Sequence, residues 1–313
     1  MCLEVLEISS NQITKINSID KNLLNEFISF IDAKPKTIET YKKALRQFFN
    51  YIFMNNIVEP KRADVIAFRE HLKASGLKPT TIQNYITAVR LFFNWTSQEG
   101  IYPNIALKLK GAKLDKAHKK DYLTSSQIKE ILSNIDTSTL EGARNYAVLV
   151  LMVTGGLRTI EVSRADISDI RAVGEHTVLY IQGKGRDEKS EYIKISPQVE
   201  KAIREYLRKR VSVNETDPLF TSESNNSRGK RLSTRTISKI VKNAFRNSGY
   251  DSERLTAHSL RHTAITLSLL AGREITEVQQ FARHTNLNTT MIYNHALDKA
   301  NNECSNSIAN TIF

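Results

Sequence analysis

A stretch of 17 residues near the N-terminus recurs 44 residues further along the chain. KPKTIETYKKALRQFFN occupies residues 34–50, and KPTTIQNYITAVRLFFN occupies residues 78–94. In both copies the apolar residues lie three and four positions apart, which is the spacing of one buried face on an α-helix. Each copy has a proline at its second position, and proline is favoured in the first turn of a helix. The repeat therefore predicts two similar helices, each of which buries its aromatic residues in a core.

Helical spacing continues over residues 21–110, where we expect a domain of four helices. The first contains Leu23, Phe27 and Ile31, and the third ends before Gly76. Residues 1–20 carry no strong pattern and are interpreted as an N-terminal extension. Residues 111–121 are polar and basic without apolar periodicity, which is typical of an interdomain linker.

A second domain is predicted for residues 122–313. Most of it has helical spacing, but two β-rich runs within residues 178–195 flank a polar turn and indicate a hairpin. Helical spacing returns in four further segments, at 197–210, 233–248, 258–271 and 274–283. The expected fold class is mainly α with a small β-sheet, in two domains.

The charge of the chain favours a polyanionic partner. Its 313 residues include 45 Lys and Arg against 33 Asp and Glu, a formal net charge of +12, and +8 of this lies within residues 34–112. Cations that meet phosphates release condensed counterions, so a helical domain with this charge is predicted to grip DNA. The basic residues at or near the two repeat helices are the candidate DNA contacts: Lys34, Lys42, Lys43, Arg46, Lys78 and Arg90.

Cysteine usage and hydropathy indicate the compartment. Cys2 and Cys304 are the only cysteines, which excludes a disulfide framework and suits a reducing cytosol. The N-terminus lacks the pattern of a secretory signal, and no apolar run approaches the roughly 20 residues that span a bilayer. We expect a cytoplasmic protein without a membrane partner.

The second domain carries an ordered series of reactive side chains. Arg158 follows a glycine pair in TGGLRTIEV, and Lys184 lies in the GKG of the hairpin turn. AHSLRHT places two further residues, His258 and Arg261, three apart on one face of a helix start. The series ends with two residues nine positions apart, His284 in ARHTN and Tyr293 in MIYNH.

This order resembles the tyrosine recombinases, also called the phage integrase family. The resemblance covers roughly residues 21–300 and is specific, because six functional positions occur in the family's order. It implies an N-terminal SAM-like core-binding domain, a catalytic domain and a C-terminal tail helix at about 296–313. The catalytic residues that it implies are Arg158, Lys184, His258, Arg261, His284 and Tyr293, with His262 as the trailing histidine of H-x-L-R-H and a further DNA-binding candidate.

The chain departs from the family pattern at two places. The fifth catalytic position usually follows Leu-Gly, but here it follows Ala282-Arg283. In the hairpin turn Arg186 stands where the family commonly has another lysine, and Lys189 is a rival to Lys184 for the role of the mobile lysine. Neither departure removes a reactive group.

The residue types suit phosphoryl transfer to a phenol. Two guanidiniums, of Arg158 and Arg261, match the non-bridging oxygens of a phosphodiester and stabilise the charge that builds during attack. A phenol has a reference pKa of about 10 and needs a base before it attacks. The resemblance implies His258 as that base, Lys184 as the acid for the leaving oxygen, and His284 as support for the phosphate or Tyr293.

No metal or cofactor is predicted, because arginines supply the charge stabilisation and neither a Walker loop nor a metal-ligand spacing is present. The resemblance implies double-stranded DNA with core recombination sites as the partner, a tetramer on DNA, and accessory DNA-bending or directionality proteins. Three alternatives stay open: a Xer-type chromosome-dimer resolvase rather than a mobile-element integrase, an enzyme like a type IB topoisomerase or a telomere resolvase, and a catalytically silent DNA-binding regulator.

Overall fold

The computed structural model describes residues 21–113, 121–183, 186–300 and 302–313. These residues fall into two compact units, one on each side of the segment 114–120. Each unit has its own hydrophobic core. The predicted N-terminal extension, Lys184 and most of the predicted linker lie outside the described residues.

The N-terminal unit consists of the four helices that the sequence predicts. They are α1 (Lys21–Phe30), α2 (Pro35–Met54), α3 (Arg62–Ala74) and α4 (Pro79–Gln98). The four phenylalanines of the repeat and Tyr85 are buried, as their spacing indicates, and Tyr41 is half-buried.

The two repeat helices pack against each other through their paired phenylalanines. Phe48 meets Phe93 with ring centroids 5.7 Å apart, and Phe49 meets Phe92 at 5.3 Å, both edge to face. Phe48 corresponds to Phe92 within the repeat, and Phe49 corresponds to Phe93. The two contacts are therefore exchanged by an approximate twofold relation between α2 and α4, and edge-to-face geometry is the arrangement that aromatic quadrupoles favour.

The C-terminal unit is mainly helical with one small sheet, which confirms the predicted fold class. Its helices are α5 (Ser125–Ser133), α6 (Leu140–Gly155), α7 (Thr159–Arg164), α8 (Pro197–Arg208), α9 (Thr234–Asn247), α10 (Ala257–Leu270), α11 (Ile275–Ala282), α12 (Leu287–Ala300) and α13 (Cys304–Ile312). The segment expected to form one tail helix thus contributes its first residues to α12 and most of the rest to α13.

The sheet has one strand more than the predicted hairpin. Strand β2 (His176–Ile181) pairs antiparallel with β3 (Glu191–Lys194) and, on its other edge, with β1 (Ile170–Val173). β1 and β2 are joined by a two-residue turn that begins at Gly174, whose φ of 57° suits a tight hairpin. Residues 184 and 185, between β2 and β3, are not among the described residues.

Helix α6 runs through the centre of this unit and leads directly to the candidate site. It is apolar around most of its circumference, as expected of a helix that other elements surround. Gly156 ends it in the left-handed conformation, with φ 57° and ψ 32°. A Cβ at Gly156 would lie 3.1 Å from the ring of Phe281, so glycine is required here both by the backbone and by the neighbouring side chain.

Candidate active site

The loop between α6 and α7 holds the first arginine. Arg158 is the residue that caps the N-terminus of α7, and its backbone N–H donates to Oε2 of Glu161 at 2.8 Å. The Arg158 side chain donates through Nη1 to Oε1 of the same carboxylate at 2.9 Å. Glu161 is fully buried, so this ion pair fixes the guanidinium while leaving 27% of the Arg158 side chain exposed.

Helix α10 holds the second arginine against the same loop. Arg261 is 1% exposed and donates from Nη1 to the carbonyl oxygen of Gly156 at 2.6 Å. Its Nη2 donates to the carbonyl oxygen of Ala282 at the end of α11. Burial, and then the charges of Arg158 and Arg283, lower the pKa of Arg261 to about 9. The guanidinium therefore keeps its charge at neutral pH despite its burial.

A third guanidinium belongs to Arg283, which the sequence marks only as a departure from the family pattern. Arg283 ends α11 in the left-handed conformation, with φ 53°. Its Nη2 donates to Oε2 of Glu161 at 3.2 Å and to the carbonyl oxygen of Gly156 at 3.1 Å. Burial, only partly offset by Glu161, lowers the pKa of Arg283.

His284 directly follows Arg283 at the end of α11. Its Nδ1 is 2.9 Å from Oγ1 of the fully buried Thr290. Burial and the charges of Arg261 and Arg158 lower the pKa of His284 to about 4. The imidazole is therefore neutral at pH 7, and Thr290 fixes the orientation of its ring.

Tyr293 lies on α12 in a small apolar cluster with residues of α10 and α11. It is 7% exposed, and its hydroxyl is hydrogen-bonded to Nδ1 of His262. The rings of His284 and Tyr293 are stacked with centroids 6.3 Å apart. Burial raises the pKa of Tyr293 to about 12, although Arg261 and Arg158 lower it. The phenol therefore holds its proton at neutral pH and needs a base to become a nucleophile.

The two histidines of α10 differ in their surroundings. His258 is exposed, while His262 is 6% exposed and touches the phenol. Their rings meet edge to face at 4.5 Å. The prediction that His262 contacts DNA stays a prediction, and the structure places this residue at the hydroxyl of Tyr293. No feature of the sequence indicates that contact, because the two residues are 31 positions apart.

Lys189, the rival to Lys184 in the sequence, is paired with two carboxylates. Lys189 donates to Oδ2 of Asp166 at 2.6 Å and to Oδ2 of Asp169 at 2.5 Å. Although burial opposes ionisation, Lys189 and Arg231 lower the pKa of Asp166. Arg186, at the other departure from the family pattern, pairs with Glu191 at 2.9 Å. Lys184, which the sequence predicts as the acid, lies outside the described residues.

The predicted DNA contacts of the N-terminal unit lie at the surface. Lys34 and Lys78 occupy equivalent positions, each capping the start of its repeat helix. Of the six side chains, Lys42 is half-buried. The other five are exposed: Lys34, Lys43, Arg46, Lys78 and Arg90. Their exposure leaves them accessible to a polyanion.

The structure thus brings five of the six predicted catalytic residues into one unit, around the ends of α6 and α11. Three residues that hold the predicted catalytic side chains in place were given no role from the sequence: Glu161, Arg283 and Thr290. The sequence pointed to Glu161 only as the last residue of the motif TGGLRTIE, and to Arg283 only as a departure from the usual Leu-Gly.

Comparison with family models identifies the class of protein. The model of the phage integrase family matches residues 121–300, more than half of the chain. The model of the phage integrase N-terminal SAM-like domain matches residues 24–100. The chain therefore belongs to the phage integrase family and is an enzyme of the tyrosine recombinase type.

Particular relatives match along most of their length. Tyrosine recombinase XerC of Herpetosiphon aurantiacus is 30% identical over 285 residues, with 87% of this chain and 90% of the relative covered. Tyrosine recombinase XerA of Pyrococcus horikoshii is 28% identical, with 90% and 91% covered.

Solved structures share the fold. The XerH site-specific recombinase bound to difH substrate, in a pre-cleavage complex, matches with a TM-score of 0.66 at 25% identity, over 84% of this chain and 78% of that one. The Tn1549 transposon integrase in complex with transposon right end DNA matches with a TM-score of 0.65 at 20% identity, over 87% and 93%, which shows likeness of fold alone.

The described residues offer neither a membrane-spanning helix nor a cluster of metal-binding side chains. Among them, no helix is both long enough and apolar enough to cross a membrane. Within the same ranges, no group of three or more His, Cys, Asp or Glu side chains is placed to hold a metal ion.

Proposed function

We propose that this enzyme is a site-specific recombinase that cuts and rejoins double-stranded DNA through a covalent bond to Tyr293. The observation that carries the proposal is the placement of a buried tyrosine hydroxyl beside histidines and two fixed arginines. Relatives described as bound to DNA support DNA as the substrate. The net charge of +12 agrees with a polyanionic partner.

The reaction begins with attack of the Tyr293 oxygen on the scissile phosphorus. A P–O bond to the tyrosine oxygen forms, and the P–O bond to the 5′ oxygen of the next nucleotide breaks. The cleaved strand stays attached to the protein as a 3′-phosphotyrosyl ester. Two guanidiniums, of Arg158 and Arg261, neutralise the charge that develops on the non-bridging oxygens. Attack by a 5′ hydroxyl of a partner strand reverses these steps and joins the exchanged strand.

Two protons move in the cleavage step. The phenol proton leaves to His258 as general base, and Lys184 donates a proton to the departing 5′ oxygen as general acid. His284, neutral at pH 7, supports the phosphate, and His262 holds the phenol oxygen in the DNA-free state. The ester conserves the energy of the broken bond, so the proposed cycle needs neither ATP nor a metal.

The active assembly is proposed to be a tetramer on two DNA sites, with accessory DNA-bending or directionality proteins as further partners. Helix α13 has no buried residue, and its apolar side chains Ile308 and Ile312 are exposed. We propose that α13 packs on a neighbouring protomer in that assembly, which would cover this apolar surface.

A Xer-type role in resolving chromosome dimers is the second candidate. It is favoured by relatives named XerC and XerA that match along most of both chains. The other role is that of a mobile-element integrase, and sequencing of the DNA that copurifies with Tyr293→Phe from the source cells separates the two. A single chromosomal site in cells that lack a mobile element supports the resolvase. Sites at the ends of a mobile element support the integrase.

The reaction itself is tested with a suicide substrate, a nicked duplex that carries candidate core sites. Wild type should give a covalent protein–DNA band on a denaturing gel, and Tyr293→Phe should give none. The matched control Tyr122→Phe removes an exposed hydroxyl and should keep the band. Tight binding without a band would favour the regulator, and efficient relaxation of supercoiled DNA that lacks a site would favour the topoisomerase.

A further inference from the structure

A third arginine, Arg283, stands where the family pattern has glycine, and nothing in the proposed chemistry uses it. Its left-handed backbone is the conformation that glycine adopts most readily. Its side chain is nevertheless 8% exposed and points into the arginine loop rather than into solvent. A charged side chain kept at a position where glycine fits better calls for a physical explanation.

The contacts of Arg283 join the two arginines that are proposed to hold the phosphate. Glu161 accepts from Arg158 through Oε1 at 2.9 Å and from Arg283 through Oε2 at 3.2 Å. The carbonyl oxygen of Gly156 accepts from Arg261 at 2.6 Å and from Arg283 at 3.1 Å. Arg283 therefore shares one acceptor with each of its two neighbours.

Because Glu161 accepts from two arginines, Arg283 changes the net charge of the cluster. Without Arg283, the buried carboxylate of Glu161 would pair with Arg158 alone and cancel its charge. With Arg283 present, one carboxylate faces two guanidiniums, and the cluster with Arg261 has a net charge of about +2 by formal counting. The positive potential of these arginines stabilises a dianionic transition state more than it stabilises the singly charged ground state of the phosphodiester.

We propose that Arg283 is a positioning residue that fixes Arg158 and Arg261 for the scissile phosphate and keeps their combined charge from being neutralised by Glu161. This inference rests on the proposed function. In this role Arg283 does not contact the DNA. Arg283 acts through the carboxylate of Glu161 and the carbonyl group of Gly156.

The test compares Arg283→Gly and Arg283→Lys with wild type on the same nicked duplex. Glycine restores the residue that suits the backbone, so folding should survive, and the melting temperature is measured to check it. Asn56→Gly is the matched control, because Asn56 is an exposed residue with φ 52° in the other unit. The measured quantities are the single-turnover rate of covalent product and, separately, the dissociation constant for DNA.

We expect Arg283→Gly to slow cleavage by about 10- to 100-fold, somewhat less than the loss of a donor that touches the transition state directly. Binding of DNA should change by less than about threefold, since ground-state affinity comes from many phosphate contacts. Arg283→Lys should recover part of the rate because it keeps a cation beside Glu161. Asn56→Gly should cleave at the wild-type rate.

A second substrate distinguishes positioning of charge from general loss of structure. A methylphosphonate at the scissile position removes one negative charge, so fixed arginines matter less there. The loss caused by Arg283→Gly should shrink on this substrate. An equal loss on both substrates, or a rate within twofold of wild type on the natural phosphate, would overturn the inference alone. Absence of covalent product with wild type would overturn the proposed function, and this inference with it.

Discussion

At the scale of single residues, the site depends on charged and polar groups that have been removed from water. Arg261 is 1% exposed, yet its guanidinium donates to two carbonyl oxygens, at Gly156 and Ala282. Burial of a cation is tolerated when its donors are satisfied, and here the acceptors are the ends of two helices. The helix ends thus determine where the guanidinium lies before DNA arrives.

His284 should make the stability of the protein depend on pH. Its pKa is lowered from 6.5 to about 4, so between these values the unfolded chain binds more protons than the folded one. The free energy of unfolding should therefore fall as pH decreases through this window. His284→Asn removes the titrating group and should reduce the difference in unfolding free energy between pH 7 and pH 5, measured by urea denaturation.

The control for that experiment is His295→Asn, which changes an exposed histidine on the same helix as Tyr293. This variant should follow the wild type. Parallel pH dependences for wild type and His284→Asn would contradict the assignment of the buried, neutral imidazole to residue 284.

At the scale of elements, the turn after α6 positions both arginines of the proposed phosphate site. Gly156 has φ 57°, and an alanine there costs about 1–2 kcal/mol from the left-handed backbone alone. Its Cβ would also lie 3.1 Å from Phe281. Gly156→Ala should therefore lower stability and displace the carbonyl oxygen that Arg261 uses, so that cleavage slows by about tenfold or more, which corresponds to roughly 1.4 kcal/mol.

Gly272→Ala separates the two effects. Gly272 has φ 77°, and a Cβ there would meet no described atom within 4 Å. It should lose a similar amount of stability, about 1–2 kcal/mol, without slowing the chemistry. If both variants cleaved the suicide substrate equally fast, the turn after α6 would have no positioning role.

The helices were predictable because their apolar spacing is regular. Residues 35–50 and 79–94 of the two repeat copies lie in α2 and α4, and the predicted helix at 274–283 is α11 (Ile275–Ala282). Strand β1 was not predicted, since one of its four residues is half-buried and three are exposed, which leaves no alternation to detect. Its pairing with β2 depends on a hairpin turn rather than on a hydrophobic pattern.

The candidate site was predictable in its residue types but not in its contacts. The order of Arg158, His258, Arg261 and Tyr293 is legible in the chain, whereas the contact between Arg283 and Glu161 joins positions 122 residues apart. Such a contact depends on how α7 and α11 pack. A single sequence carries no periodic signal for it.

At the scale of the whole molecule, electrostatics should dominate DNA affinity. The logarithm of the binding constant should fall with the logarithm of salt concentration, with a slope of about −0.9 for each phosphate neutralised. Replacing Lys43 and Arg46 on α2 by glutamine should reduce the magnitude of that slope by about 2 and weaken binding to all sequences alike. The measurement is fluorescence anisotropy at several salt concentrations.

The matched control carries the same change in net charge in the other unit. Lys201 and Arg204 are exposed on α8 and pair with Glu205 and Glu200. Their replacement by glutamine should leave the slope unchanged. An equal reduction from both double variants would show that affinity follows total charge and not the basic surface of the N-terminal unit.

Mass spectrometry can locate the residue that forms the covalent bond to DNA. The adduct of wild type with the nicked duplex would be digested with nuclease and protease and examined by mass spectrometry. We expect a nucleotide attached through phosphate to the peptide that contains Tyr293, with fragmentation placing it on that side chain. A nucleotide on any other residue would show that Tyr293 is not the nucleophile.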